Sequence, residues 1–531
     1  MSSPSIASTE VYWTELDISD EDLELILNLL LEREAPLTTL EMAEALVEHR
    51  LIKLEEEALR ASKDDHEEYK PAEKYEKGQI LRFPAMGGAL GEVIGIRPGE
   101  NPDLGSFDVI EIAFQNDDRH LEFAAQLEAH ALNEIPEPSE IKSDFENPQY
   151  IIEHMGDSIN SKLERRLEKT ADIVRIAGRW FPKPLLAEVH EGHLNLAEAV
   201  LDVSEGGPLP TSALLEHIEL PADLDPLLAE FSLDFALQEN ERFDEVGPAG
   251  QVLWFLKRLE PPEVLFTPPR LVAQSYLLDR SKLTDELIEL ELQLDDELSD
   301  LPHRAEEVED VTFPLLFPHW RVGTLPLSSR LKSLFPTAYE APRIRFILID
   351  GHSGDSFPGW VVRAERYVFG LEEWYRRYDV PAGGLIRVRR GEKPGEVIVE
   401  AAKRRKRNEW VRTVAIHDGD RAGFTMLKQP LGTAYDELMV VGLVDATVLD
   451  EVWLRGSQRQ LPLDRLVAYV FRELAKLNPQ TAVHAQALYS GINVFRRVPP
   501  GPLFTELVTQ PYYQHVGDLY WRFDESSWRQ E

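Results

Sequence analysis

The chain has 531 residues, a formal charge of −39, 43% hydrophobic residues and no cysteine. That length calls for about three to five ordinary domains, because single cores stop growing near ~250 residues. The missing cysteine excludes disulfide frameworks, thiolate zinc sites and cysteine nucleophiles, while the charge excludes attraction of the whole molecule to nucleic acid and still permits a local site, since charges beyond a Debye length of about 8 Å are screened.

The opening MSSPSIASTEVYWTELD has no basic stretch followed by an apolar one, and no run approaches about 18 apolar residues, which predicts a soluble cytoplasmic protein without membrane contact. Residues 1–74 read as helical and helix-turn-helix-like. Ser19 or Asp20 caps a helix striped by Leu23, Ile26, Leu27 and Leu30; Pro36 breaks it, and Thr38 or Thr39 caps a second carrying Leu40, Ala43, Leu46 and Val47. The rhythm changes over 75–134. β-rich runs at 79–83, 91–96 and 107–114, punctuated by Gly87–Gly88, Pro98–Gly99 and Asn101–Pro102, predict a small β-barrel.

A Pro/Glu linker at 135–148 leads to a unit at 149–265 with internal echoes. EAPLTTLEMAEALVEH (34–49), GGPLPTSALLEHIEL (206–220) and LNPQTAVHAQALYSGI (477–492) each set a Pro-containing turn before a Thr and a short amphipathic helix. The second and third also share their endings: Phe243, Val246, Gly247 and Trp254 match Tyr513, Val516, Gly517 and Trp521, with Thr211 to Trp254 and Thr481 to Trp521 separated by 43 and 40 residues. Such an ending suits a hairpin whose Gly turns the chain and whose aromatic rings cover the helices beneath. The Pro-Leu-x-Thr helix start and the Arg242-Phe243-x-x-Val246-Gly247…Trp254-x-Leu256 ending resemble the HARE-HTH winged-helix family, to which the amino-terminal domain of the bacterial RNA polymerase delta subunit belongs. The resemblance covers 180–260 and, less closely, 464–525 and 19–60. It implies winged-helix units at 149–265 and 446–531 and, as partner, RNA polymerase or another protein. The 206–260 copy has few bases on SALLEHIEL, which argues against insertion of that helix into a DNA groove.

Residues 266–340 read as an acidic helical connector. Within 281–310 twelve Asp/Glu face only Lys282 and Arg304, as expected of a solvated spacer or of a surface that mimics nucleic acid. The last expected domain, 341–445, is basic and β-rich: RIRFILID, PGWVVRA, LIRVRR, EVIVEAA and WVRTVAI are strand-like, with FGLEEWYRRYDV a short helix. Its order resembles the DNA-binding pseudobarrel domains of plant transcription factors and of restriction-enzyme effector modules. The expected class is therefore α+β and multi-domain, with winged-helix (helix-turn-helix) units and small β-barrel domains.

The candidate site is the strongly basic stretch Arg387 to Arg412. Arg387, Arg389, Arg390, Lys393, Lys403, Arg404, Arg405, Lys406, Arg407 and Arg412 outnumber Glu392, Glu396, Glu400 and Glu409, a net of +6. Arg387 and Arg389 share a strand face, and Lys403 to Arg407 follow the next strand, so a hairpin brings both groups to one end of a sheet. Arg404, Arg405 and Arg407 suit bidentate phosphate contacts, with Trp374, Tyr375 or Trp410 to stack on bases. These residues predict non-enzymatic binding of nucleic acid, DNA before RNA, with no cofactor; the alternative is a scaffold whose basic segment docks an acidic partner or the acidic domains of the same chain. Two further readings are weighed. His190 and His193 lie three residues apart without the zincin spacing or a third ligand. Asp350, Asp355, Glu396 or Glu400, and Lys403 sketch a magnesium-dependent nuclease set, but Glu400-Ala-Ala-Lys403 is one residue longer than the expected Glu-x-Lys.

Overall fold

A computed structural model describes residues 10–62, 67–83, 86, 89–101, 105–114, 120–128, 130, 133, 147–221, 223–276, 278–301, 308–393, 395–417, 421–459 and 461–528. The protein is mixed α+β. It divides into two compact units, residues 1–187 with 225–228, and residues 188–224 with 229–531. The division falls inside the expected 149–265 domain.

In the first unit, α1 (Glu10–Thr14) precedes α2 (Asp20–Arg33). Ser19 caps α2 reciprocally: its hydroxyl accepts from the Asp22 N–H at 3.3 Å and the Asp22 carboxylate accepts from the Ser19 N–H at 2.8 Å. β1 (Leu37–Thr38) and α3 (Thr39–Ser62) follow. Next come β2 (Glu67–Glu68), β3 (Ile80–Phe83), β4 (Ala89–Pro98), β5 (Asp108–Phe114) and β6 (His120–Ala125), one sheet in that order over a core that includes Tyr69, Phe83, Val93 and Ile112. Gly87 and Gly88 of the expected hairpin lie outside the described residues. The chain then returns through α4 (Pro148–Leu167) to the hairpin β7 (Ile173–Ile176) and β8 (Arg179–Pro182), and β8 pairs with β1. The helical unit expected at 1–74 is thus completed by 148–182, with the five-stranded sheet inserted in its middle.

The second unit opens with α5 (Glu191–Val203), β9 (Leu209–Pro210), α6 (Thr211–Leu215), α7 (Pro226–Gln238), β10 (Phe243–Glu245) and β11 (Leu253–Leu256). After α8 (Pro262–Leu265) and α9 (Asp285–Leu294) come β12 (Asp310–Pro314), α10 (Phe317–Val322), β13 (Thr324–Pro326), β14 (Arg343–Asp350), β15 (Ser356–Val362), β16 (Tyr367–Phe369), α11 (Glu372–Arg377), β17 (Leu385–Arg390) and β18 (Glu396–Ala401). The strands among these form a seven-stranded sheet, β12-β17-β18-β14-β15-β16-β13, in which only the β14–β18 pair is parallel. β14 shows why it is a strand: Ile344, Phe346, Leu348 and Asp350 are buried, and the residues between them are more exposed. The sheet starts at Asp310, so the end expected for the connector at 340 cuts through it.

The domain expected at 341–445 holds two sheets. The chain leaves β18 directly for a long hairpin, β19 (Lys403–His417) and β20 (Arg421–Thr433), with β21 (Gly442–Leu443) alongside β19. Val414 and Phe424 of this hairpin share a core with the C-terminal elements α12 (Ala446–Arg459), α13 (Leu463–Ala475), β22 (Ala482–His484), α14 (Ala485–Phe495), α15 (Pro500–Thr509), β23 (Tyr513–Gly517) and β24 (Tyr520–Phe523).

One order recurs three times: helix, short strand, helix, helix, hairpin. The short strand always pairs with the last hairpin strand, giving sheets β1-β8-β7, β9-β11-β10 and β22-β24-β23. Each last strand places a buried Trp opposite the residue two before a helix start: Trp180 faces Leu37, Trp254 faces Leu209, and Trp521 faces Val483. The first helical residues are then Thr39, Thr211 and Ala485. Indole Nε1–H donates to Thr39 at 3.0 Å in the first copy and to Thr211 at 3.1 Å in the second. In the third the position is alanine, and the Trp521 Nε1–H has no partner. The alignment through Thr481 is therefore corrected by four residues, because Thr481 precedes β22 instead of opening α14.

Candidate nucleic-acid interface

β17 antiparallel to β18 puts Arg387 opposite Glu400, and β12 places Asp310 two residues from the Arg387 pairing partner. Arg387 donates to Asp310 at 2.5 Å and lies 4.0 Å from Glu400; Arg389 donates to Glu400 at 3.1 Å. With Arg390 they line a cleft of about 530 Å³ whose other wall carries Glu309 and Asp310. Arg390 also donates to the Ser333 carbonyl at 2.9 Å, and Lys393 sits 3.8 Å from Glu396. The β17–β18 group is thus interleaved with acids. Lys393 belongs to the turn joining these strands, at the end of the sheet away from Lys403.

The second group is itself strand, the first residues of β19. Lys403 Nζ lies 4.1 Å over the Tyr378 ring, and Arg404 stacks 4.7 Å over Tyr435 with Glu409 3.7 Å away. Lys406 sits 3.7 Å from Asp379, both exposed. Arg412 is turned inward: it donates to the Glu437 and Met439 carbonyls at 3.1 and 3.0 Å, and burial pushes its guanidinium below the ordinary value. What stays open is a strip at the foot of the hairpin. Arg405 and Arg407 are exposed and have no hydrogen-bond or ion-pair partner among the described residues. Trp410 is 63% exposed and pairs across the strands with the exposed Lys428, a residue that charge counting over 387–412 missed because it arrives on β20. Trp374 and Tyr375, named as stacking candidates, are buried on α11. A strip with an exposed indole and uncompensated cations can stack on a base and bind phosphate.

No family model, curated protein or solved structure matches this chain. Its chemistry has to be judged from its own residues.

The nuclease set is not assembled around a metal. Asp350 is fully buried and accepts hydrogen bonds from the His352 N–H at 2.9 Å, the Ser353 hydroxyl at 2.9 Å and the Tyr378 hydroxyl. Burial raises its pKa, and these donors outweigh that and hold the carboxyl below its usual range. Glu400 is committed to Arg387 and Arg389, Glu396 lies near Lys393, and Asp355 pairs with Arg377 at 3.0 Å. His190 stands at the N-cap position of α5 without a side-chain capping hydrogen bond, and its ring stacks on His193 at 3.5 Å between centroids. Among the described residues no group of three or more His, Cys, Asp or Glu is placed to hold a metal ion.

A triad-like array escaped the sequence. Glu297 lies 3.0 Å from His319 Nε2, and His319 Nδ1 lies 2.9 Å from the Thr324 hydroxyl. Thr324 is wholly buried and His319 is 1% exposed, so substrate has no approach. The same Glu297 and Asp296 bind Arg497 at 2.7 and 2.6 Å, and Asp295 accepts from Ser328. Burial pushes Glu297 up, but Arg497 and His319 together, through charge and hydrogen bonds, outweigh it and hold the carboxyl well below the carboxylate range. This cluster is a structural joint. It also corrects the reading of 281–310 as a solvated spacer: Glu291, Asp295, Asp296 and Glu297 are buried, with partners Arg280 and Arg497.

Two surfaces that would enter a groove are covered within the second unit. The β10–β11 hairpin packs through Phe255 and Val246 against Trp360 and Val362, Arg343 pairs with Asp244, and the Arg345 N–H donates to the Val246 carbonyl at 2.9 Å. Helix α15 buries Leu503, Phe504 and Leu507 and packs against α9. Among the described residues no helix is long and apolar enough to cross a membrane.

Proposed function

We propose that the chain is a non-enzymatic, cytoplasmic nucleic-acid-binding protein, DNA in the first instance, that grips the backbone with Arg405, Arg407, Lys403 and Lys428 and stacks a base on Trp410. The three recurring units are winged helices used for internal packing and for protein contacts, RNA polymerase being one such partner, rather than for groove insertion. One observation carries this reading: in a chain of charge −39, the exposed Arg405 and Arg407 have no acidic partner among the described residues, and the same strand carries a 63% exposed tryptophan, Trp410, three residues further on. Exposed cations left unpaired in an acidic protein, next to an aromatic face, fit phosphate and base better than they fit solvent.

Titration of a labelled duplex and a labelled single strand at several salt concentrations tests it. Affinity that falls with salt, and falls further in Arg405→Glu/Arg407→Glu with an unchanged melting temperature, is the expected result; no binding at low salt defeats the proposal. The pairing of Arg387 with Asp310 and of Arg389 with Glu400 favours a second reading, a scaffold whose basic segment ties acidic elements of its own chain together. Under that reading the double variant changes stability or a protein contact, not retention on nucleic acid.

A further inference from the structure

Beside α11 lies a cavity of about 320 Å³ that the basic strip does not use. Its walls are Phe357, Trp360, Phe369 and Trp374. Trp360 and Trp374 are each 3% exposed and locked in two different cores, so the walls are preformed; Phe357 and Phe369 are half-buried and face the opening. At the mouth Asp355 and Arg377 hold each other at 3.0 Å, placing an acceptor and a donor side by side, next to the exposed hydroxyl of Ser356. The volume is at the small end of the ~300–1,000 Å³ of small-molecule sites, room for one ring system and not for an oligomer.

Helix α11 connects this cavity to the basic strip. Trp374 and Arg377 line the cavity; the next two residues, Tyr378 and Asp379, hold Lys403 and Lys406. Trp374 and Tyr378 are four residues apart, about 6 Å along a helix axis at 1.5 Å per residue. The helix that lines the cavity thus carries, one turn further on, the contacts of two lysines. The charges choose among occupants. Asp355 is paired with Arg377, Glu372 with Arg376 at 3.6 Å and Lys406 with Asp379, so Lys403 is the ammonium left to meet an anionic tail, and Glu373 on the lining turns away an anion at the mouth itself. A flat heteroaromatic ring joined to a phosphate fits this arrangement when the phosphate lies toward Lys403: aromatic faces for the ring, a donor and an acceptor for its polar edge, one ammonium for the phosphate.

We infer that this cavity takes a single unstacked nucleobase of the strand that the β19–β20 foot binds, making it a second base site in addition to Trp410. The inference rests on the nucleic-acid reading above and adds where and how a base is held. It favours single-stranded or locally opened substrates, in which a base leaves its neighbours at least cost.

The test compares two decamers on the full-length protein: ten thymidines, and the same sugar–phosphate backbone with every base removed. Wild type is expected to bind the thymidine decamer about tenfold more tightly. Ser356→Trp, at an exposed strand end where the new ring fills the mouth, should cut that preference by at least half while leaving abasic affinity and melting temperature unchanged. Phe369→Ala, which removes a wall instead of blocking the mouth, should also cut the preference and leave abasic affinity unchanged, at a cost in stability because the ring packs on a core. Preference kept in both variants but abolished in Trp410→Ala overturns the cavity and leaves the nucleic-acid reading standing. Failure of wild type to bind either decamer at low salt overturns the cavity, and failure to bind a duplex as well overturns both.

Discussion

Replacement of Asp234 by asparagine should make the second recurring unit more stable in alkali and remove the share of its pH dependence that Asp234 carries. Asp234 is almost wholly buried on α7, where its Oδ1 accepts from the Trp254 Nε1–H at 2.8 Å and from the Thr211 hydroxyl. Desolvation, which outweighs these two donors, pushes its pKa up from 3.8 to about 7. A carboxyl with a raised folded pKa keeps its proton in the native state between pH 4 and 7 while the unfolded chain has lost it, so stability falls as pH rises through that window and stays low above it. About three pH units at 1.36 kcal/mol each give on the order of 4 kcal/mol. Asparagine keeps the acceptor for both donors and cannot ionise. At pH 8 the variant should therefore gain about 1–3 kcal/mol over wild type, and at pH 5 the two should agree within about 1 kcal/mol. Several cores share this chain, so one global melting curve is the wrong readout. Denaturant-dependent hydrogen exchange of the 229–256 segment, corrected for intrinsic rate, reads the local free energy instead. An asparagine variant destabilised equally at both pH values would refute the reasoning, since it would show the carboxylate charge to be favourable in place.

Glu245 and Glu260 are each pushed up to about 8 by desolvation, so the wild-type 206–260 region should lose stability as pH rises from about 4.5 to 8 by segment-resolved exchange. Ala485→Ser should supply the hydroxyl that Trp521 lacks and raise the stability of the C-terminal unit by about 0.5–1.5 kcal/mol in a denaturant titration; no gain would mean that the third copy holds its indole differently. Arg497→Met should strand Asp296 and Glu297 in the interior and cost about 3–5 kcal/mol, read as early loss of protection in 285–326 and 485–498 together. Arg387→Ala with Arg389→Ala should weaken nucleic-acid binding much less than Arg405→Glu with Arg407→Glu, because the first pair is already held by Asp310 and Glu400; equal losses measured by filter retention would place the interface on β17 instead.

Local signals were easy to find in the sequence. Ser19 capping, the RIRFILID and LIRVRR strands, and the short helix in FGLEEWYRRYDV follow from caps and alternation, which act over a few residues and are written in adjacent letters. The shared endings of the second and third copies could be seen because turn and strand are contiguous there. The first copy hid its ending, since Trp180 stands 141 residues after Thr39 across an inserted sheet. The third was placed four residues off because its helix opens on an alanine, which carries no capping signal.

Composition, charge and apolar periodicity by themselves determined an α+β chain of several cores, without cysteine chemistry, with one strongly basic segment at 387–412. Only the tertiary structure decided which of those cations are free. A formal charge adds without regard to distance, whereas ion pairing depends on contacts of 3–4 Å between residues far apart in sequence: Asp310 reaches Arg387, Asp379 reaches Lys406, and Asp296 reaches Arg497 from 201 residues away. Those contacts withdraw most of the basic stretch, turn part of an acidic spacer into buried joints, leave Arg405, Arg407 and Trp410 open, and build beside α11 a cavity that no run of letters announces.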